Sequence, residues 1–196
     1  MTWNTWTIGV AWEWALRLWG LLMLVWLVMW FGAKRAKKRE TFSERAGYLV
    51  LVLAGSWLLF RPQFQLEWLN ARVMPNEPVT WAIGLAITAI GVGVAIWARM
   101  SLGANWSGTV TLKTDHELVQ KGPYRWIRHP IYTGILVAMA GTATIRGQLA
   151  GWIGMGLVLI GFFIKAKREE RFLSQEFGSS FEAHSKRTGM FLPKWT

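Results

Sequence analysis

Gly122-Pro123-Tyr124-Arg125-Trp126-Ile127-Arg128-His129-Pro130-Ile131-Tyr132 lies between apolar runs long enough to enter a lipid bilayer. It holds two arginines, a histidine, two tyrosines and two prolines. Polar and cationic chemistry is costly to place beside a membrane unless it has a use. Past two more apolar runs comes a second charged cluster, Lys165-Ala166-Lys167-Arg168-Glu169-Glu170-Arg171. Together the clusters read as one site at the mouth of a small helical membrane protein.

Outward from these clusters, five apolar segments stand near or slightly below the ~20 residues a spanning helix needs. They run over residues 6–31, 46–60, 79–100, 132–145 and 149–164. Arg146-Gly147-Gln148 reads as a tight turn, so the last two segments form a helical hairpin. Gly134, Gly141, Gly151, Gly154, Gly156 and Gly161 there, with Gly84, Ala89, Gly91 and Gly93 in the third segment, permit close helix–helix approach. The expected fold class is an all-α integral membrane protein with five transmembrane helices. It forms a single domain over residues 1–196, with three N-terminal spans in 1–100 and the loop, hairpin and tail in 101–196.

Composition agrees. Of the 196 residues 53% are apolar and 17% charged, and the charges are bunched. The net charge of +11 suits anionic headgroups. Nucleic acid is not an expected partner, because the basic residues sit at the ends of apolar runs. The chain has no cysteine, which excludes disulfides and thiolate chemistry. His116, His129 and His184 lack the spacing of a helical metal pair, so no metal is expected. Many of the fifteen tryptophans fall near the ends of apolar runs, where their rings anchor at the interface. The first apolar run is too long for a cleaved signal segment.

Lys and Arg in alternate connections set the orientation. The loop after the first segment, the connection before the fourth and the C-terminal tail hold eighteen, against Arg61, Arg72 and Arg146 on the other side. This places the N-terminus outside and both charged clusters, with the C-terminus, in the cytoplasm. Glu13 and Arg17, four residues apart, read as an ion pair near the outer interface.

The connection over residues 101–131 is longer than a hairpin needs, and its glycines and interleaved Leu, Val and Trp favour an ordered loop. Asn105 reads as a loop-stabilising residue, and Trp106 and Trp126 as packing or interface anchors. Pro130 suits the first turn of the fourth helix, which puts Arg128 and His129 just before a helix N-terminus that attracts anions. Arg128 can grip a carboxylate with two parallel bonds, and Tyr132 points near the same place. Glu169 and Glu170 follow the fifth segment. Adjacent residues leave a helix about 100° apart, so one of the two is expected to face the pocket and to meet Arg128 or a bound group. His184 reads as a surface residue of the tail.

The order Leu102-Gly103-Ala104-Asn105-Trp106-Ser107, His116-Glu117-Leu118-Val119 with Gly122 and Tyr124, Arg128-His129-Pro130-Ile131-Tyr132, Glu169-Glu170 and Phe177-Gly178 resembles the isoprenylcysteine carboxyl methyltransferase family. That family and the related phospholipid N-methyltransferases are integral membrane enzymes that use S-adenosylmethionine. The resemblance covers residues 101–193. It implies a cytoplasmic cofactor site in the loop and tail. His116, Leu118 and Val119 would border the adenine, and Gly122 would allow close backbone approach. Tyr124, His129 and Tyr132 would hold the methionine moiety, and Glu169 or Glu170 the ribose hydroxyls or amino group. Arg128 and Glu170 are the expected catalytic residues, Arg128 orienting a carboxylate of cofactor or acceptor. One departure is Lys165, where the family often has Arg: a point charge replaces a planar fork. Membrane sterol reductases carry a related motif with Asn where this chain has Ile131.

The implied activity is methyl transfer to a lipid or lipid-like acceptor within the membrane, as ester formation on a carboxylate. The alternatives are N-methylation of a phospholipid amine, a nicotinamide-dependent membrane reductase, and a non-catalytic membrane scaffold. Oligomeric state is not legible.

Overall fold

The computed structural model describes residues 7–31, 36–39, 41–61, 63–103, 111–113 and 118–194. Helix α1 (Ile8–Trp30) starts at Thr7, whose hydroxyl accepts the Val10 N–H. It is followed by a short strand, β1 (Ala36–Arg39), and by α2 (Phe42–Phe60). A reciprocal pair opens α2: Glu44 N–H donates to the Thr41 hydroxyl and Thr41 N–H to the Glu44 carboxylate. Pro78 starts α3 (Pro78–Leu102) and Pro130 starts α4 (Pro130–Arg146), each where a missing N–H is harmless. Gly147, at φ 68°, ends α4 and turns the chain into α5 (Leu149–Phe177). The short α6 (Ser179–Arg187) follows.

The expected hairpin is present, but its second arm is longer than the apolar run. Lys165 to Phe177 contains no Gly or Pro, so the helix continues through the charged cluster until Gly178, at φ 50°. Glu169 and Glu170 therefore lie within α5 rather than after it. Among the described residues, three helices, α1, α3 and α5, are long and apolar enough to cross a membrane.

Small residues bring the helices together in two pairs. A Cβ on Gly84 would lie 2.7 Å from the Gly141 carbonyl oxygen, and one on Gly134 would lie 2.7 Å from that of Gly91, so α3 and α4 touch backbone to backbone. Gly55 and Gly154 meet in the same way between α2 and α5. Gly156 has nothing near it and plays no such part. Leu59, Met139, Ala143, Val158 and Phe162 form the core among α2, α4 and α5. α1 leaves Met23, Leu24, Leu27 and Val28 outward, as a lipid-facing helix does.

Two ties fix which ends lie together. β1 pairs antiparallel with β2 (Thr111–Lys113), joining the α1–α2 and α3–α4 connections at one end. At the other end the α2–α3 connection lies on the α4–α5 turn: Leu149 N–H donates to Ala71 O at 2.9 Å and Val73 N–H to Gly147 O at 2.7 Å. Both charged clusters consequently occupy the first end.

Candidate active site

A 3-10 turn at Gly122–Arg125 delivers the chain to α4. Gly122 has φ 58°, and any Cβ there would meet the Ser101 side chain, so this position needs glycine on both counts. Val119 and Tyr124 pack with Ala98 and Ile131, and Leu118 is half-buried. Burial raises the Tyr124 phenol pKa, and Glu169 raises it further while Arg99 opposes. Tyr124 is therefore a neutral hydroxyl at any ordinary pH. Residue 116 lies outside the described residues, as do Asn105 and Trp106.

The chain then enters a clamp formed by its own C-terminal tail. Arg128 N–H donates to Gly189 O at 2.9 Å, His129 N–H to Met190 O at 3.0 Å, and Gly189 N–H returns to Trp126 O at 3.1 Å. The Thr133 hydroxyl adds a bond to Phe191 O at 2.7 Å. This strap holds residues 126–133 in one register against the start of α4.

Both glutamates converge on the held segment. Arg128 Nε donates to Glu170 Oε1 at 2.6 Å, with both side chains about 15% exposed. Arg128 Nη1 donates to Ser185 O at 3.2 Å and to Thr188 O. Tyr132 donates its hydroxyl to Glu169 Oε1 at 2.7 Å. Between them sits His129, with Nδ1 3.3 Å from Glu169 Oε2 and Nε2 3.4 Å from Glu170 Oε1. The Nε2 contact lacks hydrogen-bond alignment, so it acts through charge alone. The expectation that only one glutamate would face the pocket is corrected here. The two nitrogens on opposite edges of the imidazole span the angle between adjacent helix positions, and one ring meets both carboxylates.

Burial favours the neutral imidazole, but Glu169 and Glu170 outweigh it and raise the His129 pKa above its ordinary 6.5. The ring also stacks on Tyr132 (5.4 Å, 2° between planes), which stacks in turn on Phe162 (4.6 Å). Lys165 reaches the same place from α5. Its ammonium lies 5.4 Å from the Tyr132 ring, 5.8 Å from that of Tyr48 and 3.9 Å from Glu169 Oε1.

Three features escaped the sequence reading. The tail strap 188–191 is short and apolar or small, with no sign of its role. His184, read as a surface residue, is 5% exposed, because α6 folds back against the segment near Arg128. Tyr48 on α2 joins the site, and composition held a signal for it. The chain has only three tyrosines, Tyr48, Tyr124 and Tyr132, and all gather at this end.

The sequence model of the phospholipid methyltransferase family matches residues 79–180. An uncharacterized Bacillus subtilis protein, YpbQ, is 36% identical over 66 residues, covering 33% of this chain and 39% of that protein. A probable protein-S-isoprenylcysteine O-methyltransferase of Oryza sativa subsp. indica is 29% identical over 150 residues, covering 73% of this chain and 78% of the relative. Among solved structures, the eukaryotic intramembrane Ras methyltransferase ICMT (isoprenylcysteine carboxyl methyltransferase) shares the fold. Its TM-score is 0.51 and its identity 23%, over 74% of this chain and 52% of that one. The family match begins at the start of α3 and ends in α6, so it contains Arg128, His129, Tyr132 and both glutamates; this chain belongs to the phospholipid methyltransferase family.

Proposed function

We propose that this chain is an S-adenosylmethionine-dependent methyltransferase of the membrane that esterifies a carboxylate on a lipid or prenylated acceptor. The observation that carries this reading is the convergence of buried His129 with half-buried Tyr132, Glu169 and Glu170, brought together by the α4–α5 hairpin within the matched region. The donor set fits such a cofactor. Its ammonium and ribose hydroxyls need acceptors, and two half-buried carboxylates supply them. His129 Nε2, buried without an aligned partner, has a hydrogen-bonding position left for a ligand. Leu118 and Val119 would border the adenine side and Gly122 would admit the backbone close to it, while Tyr124, His129 and Tyr132 would hold the methionine moiety. Arg128 and Glu170 would hold the reacting end in register, and Tyr132 with Glu169 the amino-acid portion. His116 stays in this set by resemblance.

When bound, the cofactor supplies an electrophilic methyl group for in-line displacement. The protein's part is to align the acceptor and exclude water. The two acceptor classes differ in what they need from the site. An amine must lose a proton to a base, for which His129, its pKa raised by Glu169 and Glu170 against the effect of burial, is a candidate. A carboxylate needs only orientation and partial desolvation.

The finer topology belongs to the same reading. α2 and α4 complete five spans with α1, α3 and α5, and the Lys/Arg bias puts the site and C-terminus in the cytoplasm with the N-terminus outside. The ~30 Å hydrocarbon core takes about 20 residues of α5, which brings Glu169 and Glu170 to the cytoplasmic surface, within reach of a soluble cofactor.

The test is to incubate the purified protein with labelled S-adenosylmethionine and farnesylcysteine or a lipid extract, then identify the labelled product. A base-labile ester is expected, and Arg128→Ala and Glu170→Gln are expected to lose it while staying inserted. Stabilisation by NADPH but not by S-adenosylhomocysteine would refute the reading. A labelled amine would redirect it to N-methylation.

A further inference from the structure

At the end of the molecule opposite the His129 cluster lies a cavity of about 400 Å³. The α4 helix separates the two places by its full 17 residues, about 25 Å. The cavity is built from the start of α1, the end of α2, the α2–α3 connection and the α4–α5 turn. Its apolar wall is Ile8, Trp12, Phe60 and Ile145, and its polar side is Arg72 and Arg146, with Gln148 between helices. No carboxylate stands among the described residues that line it.

Arg146 is a built feature rather than a surface charge. It is 8% exposed, donates Nη1 to Leu59 O at 2.8 Å and bonds the Gln148 side chain, and its guanidinium lies 5.4 Å from the Trp12 ring. Its Nη1 also donates to Arg61 O, so the guanidinium ties down the end of α2 and forms part of the cavity wall. Arg72 stands at the mouth and gives one of its five N–H donors to Arg146 O at 3.1 Å. Around the mouth the surface is apolar: Leu66, Trp68 and Val73, on the same connection as Arg72, are each about half exposed.

We propose that this cavity binds one anionic phospholipid of the leaflet opposite the methyl-transfer end. The phosphate lies on Arg72 at the mouth, and an acyl chain lies on Trp12, Phe60 and Ile145. The Arg72 guanidinium, with no acid among the described lining residues, selects an anion, and an apolar wall that opens among exposed Leu and Trp selects one carrying a chain over a free ion. The site is independent of the methyl-transfer reading and uses none of its residues.

The test is native mass spectrometry of the full chain, released from micelles containing phosphatidylglycerol or phosphatidylcholine, with inorganic phosphate as a competitor. One phosphatidylglycerol is expected to be retained over phosphatidylcholine by about fivefold or more, as one cation near a headgroup provides. Arg72→Gln should lower phosphatidylglycerol retention about fivefold and leave phosphatidylcholine unchanged. Gly9 also lines the cavity, and a Cβ there meets only Thr7 Oγ1 at 3.6 Å. Gly9→Leu therefore fills space with a better helix former and should lower retention of both lipids with the fold intact. Equal retention of the two lipids by the natural chain, unchanged retention in both variants, or displacement by millimolar phosphate would each overturn the proposal.

Discussion

The contact between Arg128 and Glu170 can be measured as a coupling energy, because the structure says what each side chain keeps when the other is removed. Glu170→Gln removes a charge but leaves an oxygen toward Arg128 Nε, now 2.6 Å away. Arg128 is not stranded, since Ser185 O and Thr188 O still accept from Nη1. His129 keeps Glu169 and loses its second carboxylate. The loss therefore falls below the 3–5 kcal/mol of a fully broken buried pair, at about 2 kcal/mol. Arg128→Gln is worse, about 3 kcal/mol, because Glu170 loses its principal partner and two tail carbonyls lose their donor. The double variant should lie about 1.5 kcal/mol short of the sum, that shortfall being the pair itself.

Equilibrium unfolding in mixed micelles measures all four proteins. At roughly 2–4 °C per kcal/mol for a chain of this size, Glu170→Gln alone should lower Tm by about 4–8 °C. A local readout separates this pair from general loosening. Amide exchange should quicken at residues 126–129 and 188–191, where the strap is bonded, and stay slow across the Gly91–Gly134 contact. Effects that add to within about 0.5 kcal/mol, or exchange that quickens everywhere alike, would refute the account of Arg128 as the link between α5 and the tail.

Tyr132→Phe removes the donor to Glu169 but keeps the ring on Phe162 and His129, so it should cost about 1–2 kcal/mol in the same unfolding assay. Gly91→Leu has no room, as its Cβ would lie 2.6 Å from Gly134 O, and should cost at least about 3 kcal/mol or prevent accumulation of folded protein. The two buried histidines give opposite pH responses. His129 has a raised pKa, so its contribution is complete below its ordinary 6.5 and fades as pH rises through the folded value; His129→Gln should remove that fall in Tm. For His184, burial first and then Arg128 and Arg187 lower the pKa. Its contribution is present above 6.5 and fades as pH falls through the folded value, and His184→Gln should flatten the acid side.

Hydropathy and turn chemistry made the helices and the hairpin legible, because Gly147 after an apolar run and Pro130 before one act within a few residues. Lys/Arg alternation made the shared end of both charged clusters legible for a similar reason: it sums over whole connections. The extent of α5 was not legible from apolarity. A helix leaving a bilayer changes its solvent and keeps its backbone, and Lys, Arg, Glu and Leu carry it on as well as apolar residues do. The pairing of both glutamates with one histidine depends on ring orientation, which no spacing along one helix encodes. The Tyr48 contribution depends on which helix neighbours α5, and the Gly55–Gly154 contact that decides this was visible only as two unrelated small residues.

The strap adds a constraint that the family match leaves out. The matched region ends at residue 180, yet the carbonyls that hold Arg128, His129 and Thr133 belong to Ser185, Thr188, Gly189, Met190 and Phe191. The hairpin brings the two charged clusters together along α4 and α5, but it sets neither the register of residues 126–129 nor the angle of the Arg128 fork. Those come from main-chain atoms of the tail, whose geometry survives changes of side chain. Gly189 is the exception, because any Cβ there would strike Leu192 O and open the turn that presents the carbonyls. The chemistry-bearing side chains and the backbone that aims them are thus specified by separate stretches of sequence, the first rich in motif and the second nearly silent.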